Sequence, residues 1–138
     1  MIQAARAGGA PAPKTVLIVE DQIEIRAIHT AYLQHHGYRV LGVGDGNDAV
    51  RVARAQHPDI VLMDVSIPGM DGILATAALK GDPATRDIPV VIVTALPYGS
   101  VGPRARQAGC DGWLAKPCDP RRVLLEVQGH VGAAAPLH

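Results

Sequence analysis

The sequence predicts an α/β fold: a five-stranded parallel sheet, doubly wound, with helices on both faces. Three observations lead there. Five short apolar runs punctuate the chain: "TVLIV" (15–19), "RVLGV" (39–43), "DIVLM" (59–63), "PVVIV" (89–93) and "GWLA" (112–115). They are rich in Val and Ile and continuous rather than alternating, as strands buried on both faces are. Segments with helical spacing lie between them, and strands that alternate with helices pair in parallel through right-handed crossovers.

The helical segments follow in order. The first carries Ile25, Ile28, Tyr32 and Leu33 on one stripe, and Gly37 is placed to end it. The second spans about 47–56, with Asp45 or Asn47 available as a cap and Pro58 beyond its end. The third, about 71–80, is alanine-rich around Ile73, Leu74 and Leu79. The fourth stretch, "LPYGSVGPRARQAG" (96–109), holds Pro97, Gly99, Gly102 and Pro103. Each interior glycine costs a helix about 1 kcal/mol and each interior proline about 3. A loop to about residue 102 and a short helix from Pro103 to Ala108 are therefore expected, a shortened or disordered fourth helix. The last begins at "CDPRR", where Asp119 can cap and Pro120 takes the first turn. Val123, Leu124 and Val127 form its buried stripe.

Composition narrows the function classes. The 138 residues suit one domain, and 48% hydrophobic against 19% charged residues gives a core to bury. Basic and acidic residues balance at 13 each, so the chain carries no electrostatic footprint for nucleic acid or a membrane surface. No run approaches the roughly 20 apolar residues of a membrane span. Cys110 and Cys118 match no disulfide framework or zinc pattern and read as reduced thiols. The Ala-, Gly- and Pro-rich residues 1–14 read as a flexible leader, 15–131 as the folded unit and 132–138 as a flexible tail. A cytoplasmic protein is expected.

The polar residues that break the pattern all fall at the carboxyl ends of strands, where ligands bind in open parallel sheets. Glu20 and Asp21 follow the first run, Asp64 the third, Thr94 the fourth and Lys116 the fifth. A single carboxylate after a strand is ordinarily a loop cap. Three that converge are not explained that way, because partial burial and mutual repulsion raise the cost of each. Three acids against one lysine call for a divalent cation, and carboxylates completed by water suit Mg²⁺. A cation, a lysine, a hydroxyl and a carboxylate nucleophile together describe phosphoryl transfer to Asp64. Gly42, Gly44 and Gly46 lie at the second strand, whereas a phosphate-binding glycine loop belongs after the first. They read as a turn.

The set "VLIVED", "IVLMDVSIPGMDG", "PVVIVTA" and "WLAKP" resembles the receiver domain of two-component response regulators, chemotaxis-type and stand-alone. The likeness covers about residues 15–131. It implies a flavodoxin-like strand order, 2-1-3-4-5. It also implies that Glu20, Asp21, Asp64 and the backbone carbonyl of Ser66 hold Mg²⁺, and that Asp64 is phosphorylated. Thr94, Ala95 and Lys116 would bind the phosphoryl group, Trp113 would take the aromatic switch position usually filled by Tyr or Phe, and Pro117 would follow a cis bond. The implied donor is a histidine kinase or a histidine phosphotransfer protein. The implied output is contact with a further, unknown protein, as a monomer or weak dimer that catalyses only its own modification. Two readings stay beside it: a receiver-like interaction module that works without phosphate, and a small phosphatase acting through an aspartyl phosphate. Ser66, where the latter needs a second acid, weighs against the phosphatase.

Overall fold

The apolar runs form five parallel strands, β1 (Thr15–Val19), β2 (Arg39–Val43), β3 (Ile60–Asp64), β4 (Val90–Thr94) and β5 (Gly112–Ala115), ordered β2-β1-β3-β4-β5. Between and after them come α1 (Ile23–His35), α2 (Gly46–Gln56), α3 (Gly72–Gly81), α4 (Tyr98–Ala108) and α5 (Pro120–Val131). This computed structural model describes residues 12–133. Most of the expected leader and tail therefore lies outside the described residues.

Strand side chains alternate between faces, and here each face has its own core. Leu17, Val19, Val61, Met63, Val90 and Ile92 pack under α2, α3 and α4 against Ala49, Ala53, Ile73, Leu79, Val101 and Ala105. Val16, Ile18, Ile60, Leu62, Val91 and Leu114 pack under α1 and α5 against Leu33, Val123, Leu124 and Val127. The three central strands are buried along almost their whole length. β2 departs from the expectation of burial on both faces: it is an edge strand, and its five residues are half-buried or exposed.

The helix starts follow the predicted chemistry. Asp45 accepts the Asn47 and Asp48 N–H groups at the start of α2, and Asp71 accepts those of Ile73 and Leu74 at the start of α3. Asp119 accepts from Arg121, with Pro120 opening α5. Each bond satisfies a donor that the first helical turn leaves free.

The fourth helix corrects the expectation. It runs for 11 residues from Tyr98 to Ala108, as long as α2, with Pro103 in its interior. Packing outweighs propensity here. Val101, Gly102 and Ala105 are buried against the sheet. A Cβ on Gly102 would lie 2.5 Å from the Tyr98 ring, so the glycine is the seat for that ring. Tyr98 in turn meets Trp113 of β5 edge-on, with ring centroids 5.1 Å apart.

Candidate metal and phosphoryl-transfer site

Alternation also builds the site. Ile18, Leu62 and Leu114 all face the α1/α5 core. Two residues further along each chain come Glu20, Asp64 and Lys116, so period-two geometry turns all three to one face at one end of the sheet. The register is close, with Val19 opposite Met63 and Asp64 opposite Val93. A glycine fixes the height of Asp64: a Cβ on Gly72 would stand 2.0 Å from the Asp64 carbonyl oxygen, and the Gly72 N–H donates to Val65 at 3.0 Å.

Glu20 and Asp64 are 4% and 6% exposed. Lys116 Nζ donates to Glu20 Oε1 at 2.5 Å and to Asp64 Oδ2 at 3.0 Å. The Ser66 N–H reaches Asp64 Oδ1 at 3.3 Å. Asp21 is exposed, yet one oxygen each from Glu20, Asp21 and Asp64 can lie within 4.8 Å of one another, close enough to share a metal ion. Beneath the acids an apolar cavity of about 230 Å³ opens between Ile25, Ile28, Val93 and Pro117.

That burial is the largest influence on all three charges. It pushes the Asp64 carboxyl up; the Lys116 contact opposes it and the Glu20 charge adds to it, and the net shift is upward. Glu20 feels the same penalty, but Lys116 and the Gln22 N–H outweigh it and hold its carboxyl below the usual range. Lys116, also penalised by burial, is raised by its bonds to the two acids. One lysine serves two carboxylates, and it serves Glu20 better.

The other expected residues stand around this cluster. Thr94 ends β4 and is 1% exposed, and its hydroxyl accepts the Leu96 N–H at 3.1 Å. Ala95 follows it, exposed. The Lys116–Pro117 bond is cis. Trp113 lies on the other face, packed against the α2–α4 core. Two residues without a motif also reach the site. Arg26 donates to the Glu20 carbonyl at 2.9 Å. His29 lines the cavity with a buried Nδ1 that has no hydrogen-bond partner. Neither contact can be found from spacing, since each depends on how α1 lies over β1.

No helix among the described residues is long and apolar enough to cross a membrane. Residues 16–128 match the family model of the response regulator receiver domain. The chain is 34% identical over 121 residues to the polar-differentiation response regulator DivK of Brucella ovis, a match covering 88% of this chain and 98% of that one. Among solved structures it resembles the receiver domain of the sensor histidine kinase PA1611 from Pseudomonas aeruginosa, which has a magnesium ion coordinated in its active-site cleft. The TM-score is 0.81 at 34% identity, over 88% of this chain and all of that one. It is also similar to the chemotaxis protein CheY4 of Vibrio cholerae, with TM-score 0.81 at 29% identity over 86% of this chain and 99% of that one. On fold, site and sequence together, the chain belongs to the response regulator receiver domains.

Proposed function

We propose that the chain accepts a phosphoryl group on Asp64, in a Mg²⁺-dependent reaction, from a histidine kinase or histidine phosphotransfer protein. The observation that supports this most is the cluster: two buried carboxylates share one lysine while a third stands within metal-sharing distance. The donor set is hard oxygen throughout, which fits Mg²⁺. Glu20, Asp21 and Asp64 would hold the ion, with the Ser66 carbonyl as a further ligand. When bound, it supplies positive charge that neutralises the phosphoryl oxygens.

The chain's own residues do the rest. An Asp64 oxygen forms the bond to phosphorus as the bond from phosphorus to the donor's imidazole nitrogen breaks, and its electron pair leaves with the imidazole. Lys116 exchanges a carboxylate contact for the phosphoryl oxygens. Thr94 gives up the Leu96 N–H to reach the same oxygens, beside the Ala95 backbone. The surface of residues 95–130 then changes for a partner protein. A second reading, a receiver-like module that works without phosphate, draws on the Tyr98–Trp113 contact, which ties the aromatic switch position to α4.

Intact mass after incubation with acetyl phosphate, with and without Mg²⁺ and beside Asp64→Asn, tests the proposal. One phosphoryl group gained only with Mg²⁺ and lost in the variant supports it. A gain that survives Asp64→Asn refutes Asp64 as acceptor.

A further inference from the structure

Glu20 and Asp21 hang from one peptide, so whatever holds that peptide sets where both carboxylates point. Its N-terminal side is held by the sheet: the Glu20 N–H donates to the Val43 carbonyl at 2.9 Å, at the last residue of β2. Beyond Val43 the chain turns away into α2, and the Glu20 carbonyl takes its donor from elsewhere. Arg26 Nη1 supplies it at 2.9 Å, from the first full turn of α1.

The guanidinium reaches that carbonyl by crossing β2 where two glycines leave room. A Cβ on Gly42 would lie 3.1 Å from Arg26 Cδ, 3.4 Å from Nε and 3.5 Å from Cγ. A Cβ on Gly44 would lie 3.1 Å from Arg26 Nη1, 3.4 Å from Asp21 Cα and 3.7 Å from the Glu20 carbonyl oxygen. The alternate glycines sit on one face of the strand, so they form a continuous shelf under the arginine. Neither has the positive φ that would itself demand glycine. Room for Arg26 is a reason shared by both, and Gly44 also lies against the Asp21 backbone.

We propose that Arg26 is a positioning residue for the acid pair: laid across the Gly42–Gly44 shelf, it fixes the Glu20–Asp21 peptide and thereby strengthens Mg²⁺ binding. The inference rests on the metal-binding reading of the cluster. Partners that orient ligands without touching the metal are typically worth about 10–100-fold in affinity.

Calorimetric titration of the full chain with MgCl₂ tests it, with thermal melts of the same samples in EDTA. Arg26→Met is expected to weaken Mg²⁺ binding about tenfold, and Arg26→Lys to recover part of the loss. Gly42→Val fills the shelf while suiting an exposed strand. It is expected to weaken Mg²⁺ binding without lowering Tm, a pairing that a purely structural role would not produce. Combined with Arg26→Met it should add little, because both remove one interaction. If Arg26→Met does not fold, Gly42→Val decides. Wild-type affinity in Arg26→Met or Gly42→Val overturns the inference alone. A wild-type chain that takes up no Mg²⁺ overturns it together with the metal reading.

Discussion

Replacing Asp64 by Asn in the metal-free protein should make it more stable. The carboxylate is 6% exposed and carries one attraction and two repulsions. At an effective dielectric of about 20, attraction to Lys116 at 3.0 Å is worth about 5.5 kcal/mol, and repulsion at least about 3.5 kcal/mol for each neighbouring acid, one oxygen of which lies within 4.8 Å. Asp21 is exposed, and water screens its share to roughly half. Attraction and repulsion then nearly cancel, and the burial cost of the charge is left uncompensated. The upward shift of the Asp64 carboxyl, caused first by burial, has the same sign. Asparagine keeps the shape, removes the charge and frees Lys116 for Glu20. A gain of about 1–2 kcal/mol is expected, the range common where a functional site has been relieved of strain. For a chain of this size it corresponds to a Tm rise of roughly 3–8 °C. Urea and thermal melts at pH 7 in EDTA measure it. Millimolar Mg²⁺ should narrow the gap by stabilising the wild type more. An Asp64→Asn protein less stable than wild type in EDTA would refute this reasoning and return Asp64 to the role of a loop cap.

Two further substitutions probe what holds the site and its neighbours. Gly72→Ala places a methyl 2.0 Å from the Asp64 carbonyl oxygen, a backbone collision expected to cost about 2–3 kcal/mol in urea melts; an unchanged midpoint would show that α3 does not fix Asp64. Asp119 is held down to about 2 by the Arg121 side chain and then by the Arg121 N–H. Its folded value lies below the ordinary 3.8, so its contribution is present above that value and is lost as pH falls toward 2. Asp119→Asn should therefore lose less stability than wild type between those limits, read as unfolding midpoints across that window; parallel curves would refute it.

Much of the fold was legible because its signals are local. A continuous Val- and Ile-rich run reads as a buried strand wherever it sits. An acid ending such a run stands out because nothing apolar accounts for it. Glu20, Asp64 and Lys116 can be grouped from the sequence, since each falls at a strand's carboxyl end and parallel strands bring those ends together. The expected strand order already put β2 at the edge; its lower burial was less visible, because "RVLGV" and "TVLIV" differ little in composition while their burial differs completely.

Where the reading failed, the deciding partner was far away in sequence or on another element. Gly102 and Pro103 have poor intrinsic propensity, and that cost is real. It is outweighed by the buried faces of Val101 and Ala105 and by a Tyr98 ring seated on Gly102 and braced by Trp113, fifteen positions along. The same holds for Arg26. From sequence it is one cation on an amphipathic helix, and Gly42 and Gly44 are a turn. Only the pairing of β1 with β2 puts the glycines under the arginine and the arginine on the Glu20 carbonyl. In both cases glycine removes a side chain so that a neighbour's can pass. A small residue inside a regular element therefore points to what lies against it, and the element itself can still form.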